Sequence, residues 1–141
     1  MYERILVGTD GSDGASNALS HALDVGAAVD ATVYVVTVVE STANSTKFGV
    51  SEAEAIDDAA NKLIEEVLTA YDDHDVEIHG DVRYGRPPEA LLAFADEIDA
   101  SLIVVGQRGA DGVAGLLLGS TADRLARGSD VPVTVVPADP A

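Results

Sequence analysis

The sequence predicts an α/β protein: a single doubly wound, five-stranded parallel sheet with helices on both faces. Three observations carry this. Short apolar runs rich in β-branched residues read as buried strands, and longer stretches with apolar residues at helical spacing separate them. The two kinds of segment alternate from end to end as βαβαβαβαβ, an order that demands parallel strands with helical crossovers. The 141 residues contain no internal repeat or linker, so one domain spanning residues 1–141 is expected. Hydrophobic residues make up 47% of the chain and aromatic residues only 4%, so the predicted core is built from Val, Leu, Ile and Ala.

Taken in order, residues 4–9 (RILVGT) read as the first buried strand, broken by Asp10-Gly11-Ser12. Ser12 or Asp13 is placed to cap a first helix whose inner face is Ala15, Ala18, Leu19, Ala22, Leu23 and Gly26. Residues 31–39 (ATVYVVTVV) form the second strand, and the polar stretch 40–49 reads as a loop. A long helix is expected over residues 51–71, burying Ala53, Ile56, Ala60, Leu63, Ile64, Val67 and Leu68. Its other face is charged and solvated. Residues 76–84 (VEIHGDVRY) alternate apolar and polar, which predicts a strand near a sheet edge. Gly85-Arg86-Pro87-Pro88 reads as a turn, residues 89–99 as a helix burying Leu91, Leu92, Ala95 and Ile98, and residues 102–105 as the fourth strand. The last helix should be capped by Ser120, with Asp123 completing a near capping box, and ended by Gly128. Residues 132–136, bracketed by Pro132 and Pro137, form the fifth strand.

The stretch 104–121 (VVGQRGADGVAGLLLGST) joins a buried strand to a helix start through glycines. Glycine lets backbone approach a ligand closely, and the free N–H groups and positive dipole end of a helix start suit a phosphate. In a doubly wound sheet, ligands bind beyond the strand carboxyl ends where strand order reverses. Asp10 and Gly106 both lie just past such ends. A carboxylate at Asp10 can accept hydrogen bonds from a ligand or hold a metal; the alternative is that it merely caps the first helix. Arg108 is a forked donor for a phosphate or a solvated loop residue.

The spacing of Gly106, Gly109, Gly119 and Ser120 resembles the G-2x-G-9x-G-[S/T] signature of ATP-binding universal stress proteins. The segments RILVGTDGS, GRPPEALLAFA, ASLIVVGQRG, LLLGSTADRLAR and DVPVTVVP extend the resemblance over nearly the whole chain. It implies strand order 3-2-1-4-5 and a nucleotide held at Thr9, Asp10, Gly11 and Ser12 on one side. Val38 and Val105 would lie against adenine, and Gly106, Arg108, the N–H groups of Gly109 and Gly119, and Ser120 and Thr121 would serve the phosphates. ATP is the expected ligand, with AMP or ADP as alternatives and Mg²⁺ or Mn²⁺ accompanying the triphosphate. The resemblance also implies a homodimer through the last strand. Departures are Gly8 and Gly11, where other residues are commoner, and Asp111, whose charge opposes phosphate.

Composition narrows the function classes. With 25 acidic and 8 basic residues, a net charge of −17 leaves no basic patch for nucleic acid or an anionic membrane. Two lysines and abundant Asp resemble proteins of salt-loving organisms, in which screening relieves self-repulsion. The chain has no cysteine, so sulfur chemistry is excluded. No leader pattern is read at the start and no apolar run reaches spanning length, so a cytoplasmic location is expected. His21, His74 and His79 match no triad or metal spacing, and no Gly-Lys-Ser/Thr phosphate loop occurs. A non-catalytic, nucleotide-dependent stress-response module is therefore expected. A slow ATP hydrolase and a dimeric interaction module with an empty site are the alternatives.

Overall fold

The computed structural model describes residues 2–40, 50–71, 75–107 and 119–137. Residues 41–49, His74, Arg108, Gly109 and residues 110–118, including Asp111, lie outside the described residues, as do the side chains of Ala53 and Ile56. Five strands, β1 (Arg4–Gly8), β2 (Thr32–Val39), β3 (Ile78–Tyr84), β4 (Leu102–Gly106) and β5 (Val133–Val136), alternate with four helices. These are α1 (Asp13–Val29), α2 (Val50–Ala70), α3 (Pro87–Glu97) and α4 (Ser120–Gly128). All strand pairings are parallel and the order is β3-β2-β1-β4-β5, as the sequence predicts.

The sheet separates two apolar layers. On one face, Ala18, Leu19, Ala22 and Leu23 of α1 and Ile64 of α2 pack on Ile5, Val7, Val33, Val35 and Val104. On the other, Leu91, Phe94 and Ala95 of α3 and Ala122 and Leu125 of α4 pack on Leu6, Val36, Ile103 and Val105. The central strands are apolar on both faces because both are covered. β3 is an edge strand, which explains its alternating pattern.

Several local expectations are corrected. α3 begins at Pro87 rather than at Glu89, so both prolines lie in its first turn. That turn needs no N–H donors, and proline's fixed φ already suits a helix. Phe94 is buried in place of the half-exposed Leu92 and Ile98. The expectation that Gly128 ends the last helix holds: it is the last residue of α4, followed by the cap Ser129.

The cap of α1 is as expected. Ser12 is extended (φ −76°, ψ 166°), and its Oγ accepts the Ala15 N–H at 3.2 Å. Ser12→Ala should therefore cost about 0.5–2 kcal/mol, the usual loss for an N-cap hydroxyl. Urea denaturation reads this directly, and an unchanged midpoint would show that the cap is energetically idle.

At the carboxyl end of β3, the Tyr84 hydroxyl donates to Asp57 Oδ1 of α2 at 3.1 Å. This hydrogen bond, with desolvation and the Asp57 charge adding to it, raises the phenol pKa. No helix among the described residues is long and apolar enough to cross a membrane.

Candidate functional site

β1 and β4 are neighbours, paired Ile5 to Leu102, Leu6 to Ile103 and Val7 to Val104. From β1 the chain crosses to β2 on one side, and from β4 to β5 on the other. The strand order reverses between them, and a crevice at their carboxyl ends is the expected ligand position in this architecture. The pairing of β1 with β4 meets the condition under which Asp10 and Gly106 would lie at one crevice, since both stand at the carboxyl ends of adjacent strands.

A tight turn follows β1. The Thr9 N–H donates to the Val36 carbonyl at 2.9 Å, carrying the ladder one residue past β1. Thr9 Oγ1 accepts the Gly11 N–H at 3.3 Å, and Asp10 Oδ1 accepts the Ser12 N–H at 2.9 Å. Gly11 has φ +82°, a left-handed value that favours glycine. The turn thus fixes the Asp10 carboxylate at the strand tip while leaving the residue exposed. Asp10 does not cap α1; Ser12 does.

Gly106 has a role the sequence reading missed. A Cβ built on it would stand 2.9 Å from both C and O of Gly14 and 3.4 Å from Ala15 N. The first turn of α1 therefore rests directly on the end of β4, backbone on backbone. The signal lay in Gly14, a buried glycine in the first turn of a helix, but only the pairing of β1 with β4 makes the two glycines neighbours.

Beyond Gly106, the Gln107 N–H donates to the Val136 carbonyl at 2.7 Å and the Gly119 N–H to the Gln107 carbonyl at 2.6 Å. Gln107 and Gly119 are thereby held together. Two expectations change. The Gly119 N–H is committed to Gln107 rather than available to a phosphate. Gly119 itself is the N-cap of α4 (φ −69°, ψ 163°) and Ser120 its first helical residue, so Ser120 does not cap. Nor does Asp123 complete a capping box, because its carboxylate holds Arg127 Nε at 3.0 and 3.1 Å. The first intrahelical bond runs from the Asp123 N–H to the Gly119 carbonyl. The N–H groups of Ser120, Thr121 and Ala122 precede that bond, so the helix's own ladder does not use them.

Val105 is buried and Val38 half-buried, and both belong to the apolar layer shared with α3 and α4. Arg124 of α4 meets Glu89 in the first turn of α3 at 2.5 Å, and Arg86, the extended residue before α3, is exposed. Of the histidines, His21 is exposed on α1, and His79 on β3 lies against Glu77 at 2.7 Å. Among the described residues no group of His, Asp and Glu side chains is arranged to hold a metal.

Comparison with known proteins agrees with this architecture. Residues 1–137 match the sequence profile of the universal stress protein family. A universal stress protein of Methanocaldococcus jannaschii is 31% identical over 140 residues, covering 96% of this chain and 82% of that one. A universal stress protein solved in complex with cAMP superposes with a TM-score of 0.73 at 28% identity, covering 98% of this chain and 99% of that one. The universal stress protein UspA of Lactobacillus plantarum shares the fold, with a TM-score of 0.80 at 21% identity over 96% of this chain and 97% of that one.

Proposed function

This chain belongs to the universal stress protein family, and from that premise we propose that it is a regulatory module that binds an adenine nucleotide, ATP in the first place. The observation that carries the reading is the juxtaposition at the strand-order reversal. The start of α4, tied to the end of β4 through the Gly119–Gln107 bond, and the Asp10 turn stand at the ends of adjacent strands. A helix start offers phosphate oxygens hydrogen bonds without adding net charge, which matters in a chain of −17. Asp10 is the acceptor for ribose hydroxyls, and Val38 and Val105 provide an apolar wall for the base. Ser120 and Thr121 serve the phosphates, with Gly109 and Arg108 assigned to them as well. Mg²⁺ or Mn²⁺ would be held mainly by phosphate and water. The relative solved with cAMP supports the nucleotide class. Mass spectrometry of small molecules released on denaturing freshly purified protein should find an adenine nucleotide. Protein that retains none and takes up none when dialysed against ATP speaks for the empty interaction module.

The same reading includes a homodimer formed through β5. That strand is a sheet edge whose four residues are all half-buried, between the exposed Pro132 and Pro137. An unpaired apolar edge is an aggregation hazard unless covered, and a two-fold mate covers it. Light scattering at micromolar concentration should give twice the chain mass, and Val135→Asp should halve it. A Val135→Asp variant that stays dimeric would place the interface elsewhere.

A further inference from the structure

The other end of the molecule carries a cleft that the nucleotide reading does not use. β3 turns Ile78, Gly80 and Val82 toward α2 and directs His79, Asp81 and Arg83 to the opposite face, beside Tyr34, Val36 and Val38 of β2. There α3 and the free sheet edge bound a depression of about 250 Å³, lined by Tyr34, His79, Asp81, Arg83, Phe94 and Glu97 among others. Phe94 and Glu97 lie in the last turn of α3, at the opposite end of that helix from the strand carboxyl tips.

Its floor is a continuous aromatic surface. His79 stacks on Tyr34 with ring centres 5.1 Å apart, and Tyr34 meets Phe94 edge-on at 6.3 Å. The Arg83 guanidinium lies 4.4 Å over the Phe94 ring. The chain has only four Tyr and two Phe, so two of its six such residues converge here.

The rim is rich in acceptors. Arg83 Nε and Nη2 donate to Asp81 Oδ2 at 3.1 and 2.9 Å, and Nη1 meets Glu97 Oε2 at 3.0 Å. Nη2 also reaches Glu97 Oε1 at 3.3 Å. Nearly all of Arg83's donors are therefore spent, whereas the Glu97 carboxylate keeps unused lone pairs and a half-exposed position. Two carboxylates oppose one guanidinium, and Glu77 beside His79 adds a further negative charge. Arg83 already shows what this surface holds: a flat cation, stacked on an aromatic face and bridged by carboxylates. An anion would meet a saturated guanidinium and net negative charge.

We propose that this cleft is a second ligand site, separate from the nucleotide crevice, for a small organic cation with a flat apolar body, in the class of aromatic amines and amidines. The volume falls just below the range of about 300–1,000 Å³ common for drug-sized ligands, which limits the occupant to a molecule of one or two rings. Glu97 is the acceptor for the ligand's N–H groups, and Arg83 is an internal competitor for the same surface.

Benzamidinium is a suitable probe and benzoate its anionic counterpart of similar shape. Calorimetry on the full chain should show saturable benzamidinium binding and none for benzoate. Glu97→Gln should weaken the binding at least fivefold. Arg83→Met, which removes the competing cation, should strengthen it severalfold. Opposite responses of two surface variants cannot come from a general loss of fold. Amide shifts in NMR spectra should centre on Tyr34, His79 and Phe94. The proposal is overturned by a lack of saturable binding, by equal binding of benzoate, by unchanged affinity in both variants, or by shifts centred on Asp10 and Ser120 instead.

Discussion

Gly106→Ala is expected to destabilise the protein by about 1–3 kcal/mol, the usual cost of forcing an extra group into a filled site. For a domain of this size that corresponds to a fall in Tm of about 3–10 °C. The added Cβ would stand 2.9 Å from C and O of Gly14. Both are backbone atoms, in the first turn of a helix whose buried face is fixed on the sheet, so no side chain can swing aside. Gly128→Ala is the matched control, because a Cβ there would meet Leu92 Cδ1 at an ordinary 3.6 Å. Alanine is also the better helix former by about 0.8–1.0 kcal/mol in a helix interior, so this variant should melt no lower than wild type. If Gly106 were glycine only to admit a ligand, Gly106→Ala would lose binding and keep its full stability in ligand-free buffer. A wild-type melt for Gly106→Ala would therefore remove the α1–β4 contact from the explanation.

Asp10→Ala should weaken ATP binding by about 1–3 kcal/mol, the scale of a lost hydrogen bond to a charged group. That is roughly a 5- to 150-fold rise in Kd, at about 1.4 kcal/mol per decade. The side chain has a structural duty as well, because Oδ1 accepts the Ser12 N–H at 2.9 Å. Asp10→Asn separates the two duties. Asparagine retains an acceptor for Ser12 and loses the charge that a ribose diol would meet. Wild-type stability with weakened ATP binding in Asp10→Asn assigns the carboxylate to the ligand. Wild-type affinity in both variants confines Asp10 to building the turn.

Strand and helix order, the parallel sheet and the edge position of β3 were legible because burial imposes periodicity directly on a sequence. The arrangement 3-2-1-4-5 came from the family resemblance carried by the glycine stretch and the flanking segments. What escaped reading depends on backbone geometry or on contacts between distant residues. Pro87-Pro88 looks like a turn, yet the first turn of α3 accommodates both prolines. Ser120 has a good capping side chain, but the extended residue is Gly119, which shifts the helix start by one position. Gly119 was assigned a phosphate-facing N–H that the structure commits to the Gln107 carbonyl. Phe94 fits the helical spacing of Leu91 and still went unnoticed, although it anchors one apolar layer and floors the cleft beside β3. The contact between Gly14 and Gly106 joins residues 92 positions apart in sequence, and no local pattern announces it.

Calorimetry of the wild-type chain with ATP and Mg²⁺ tests the nucleotide assignment most directly. It should be run in high salt to screen the charge of −17, with a thermal melt confirming the folded state. Saturable binding is expected, one ATP per chain, with a Tm that rises as ATP is added. A folded protein that gives no saturable heat and no ATP-dependent rise in Tm contradicts a nucleotide site between β1 and β4.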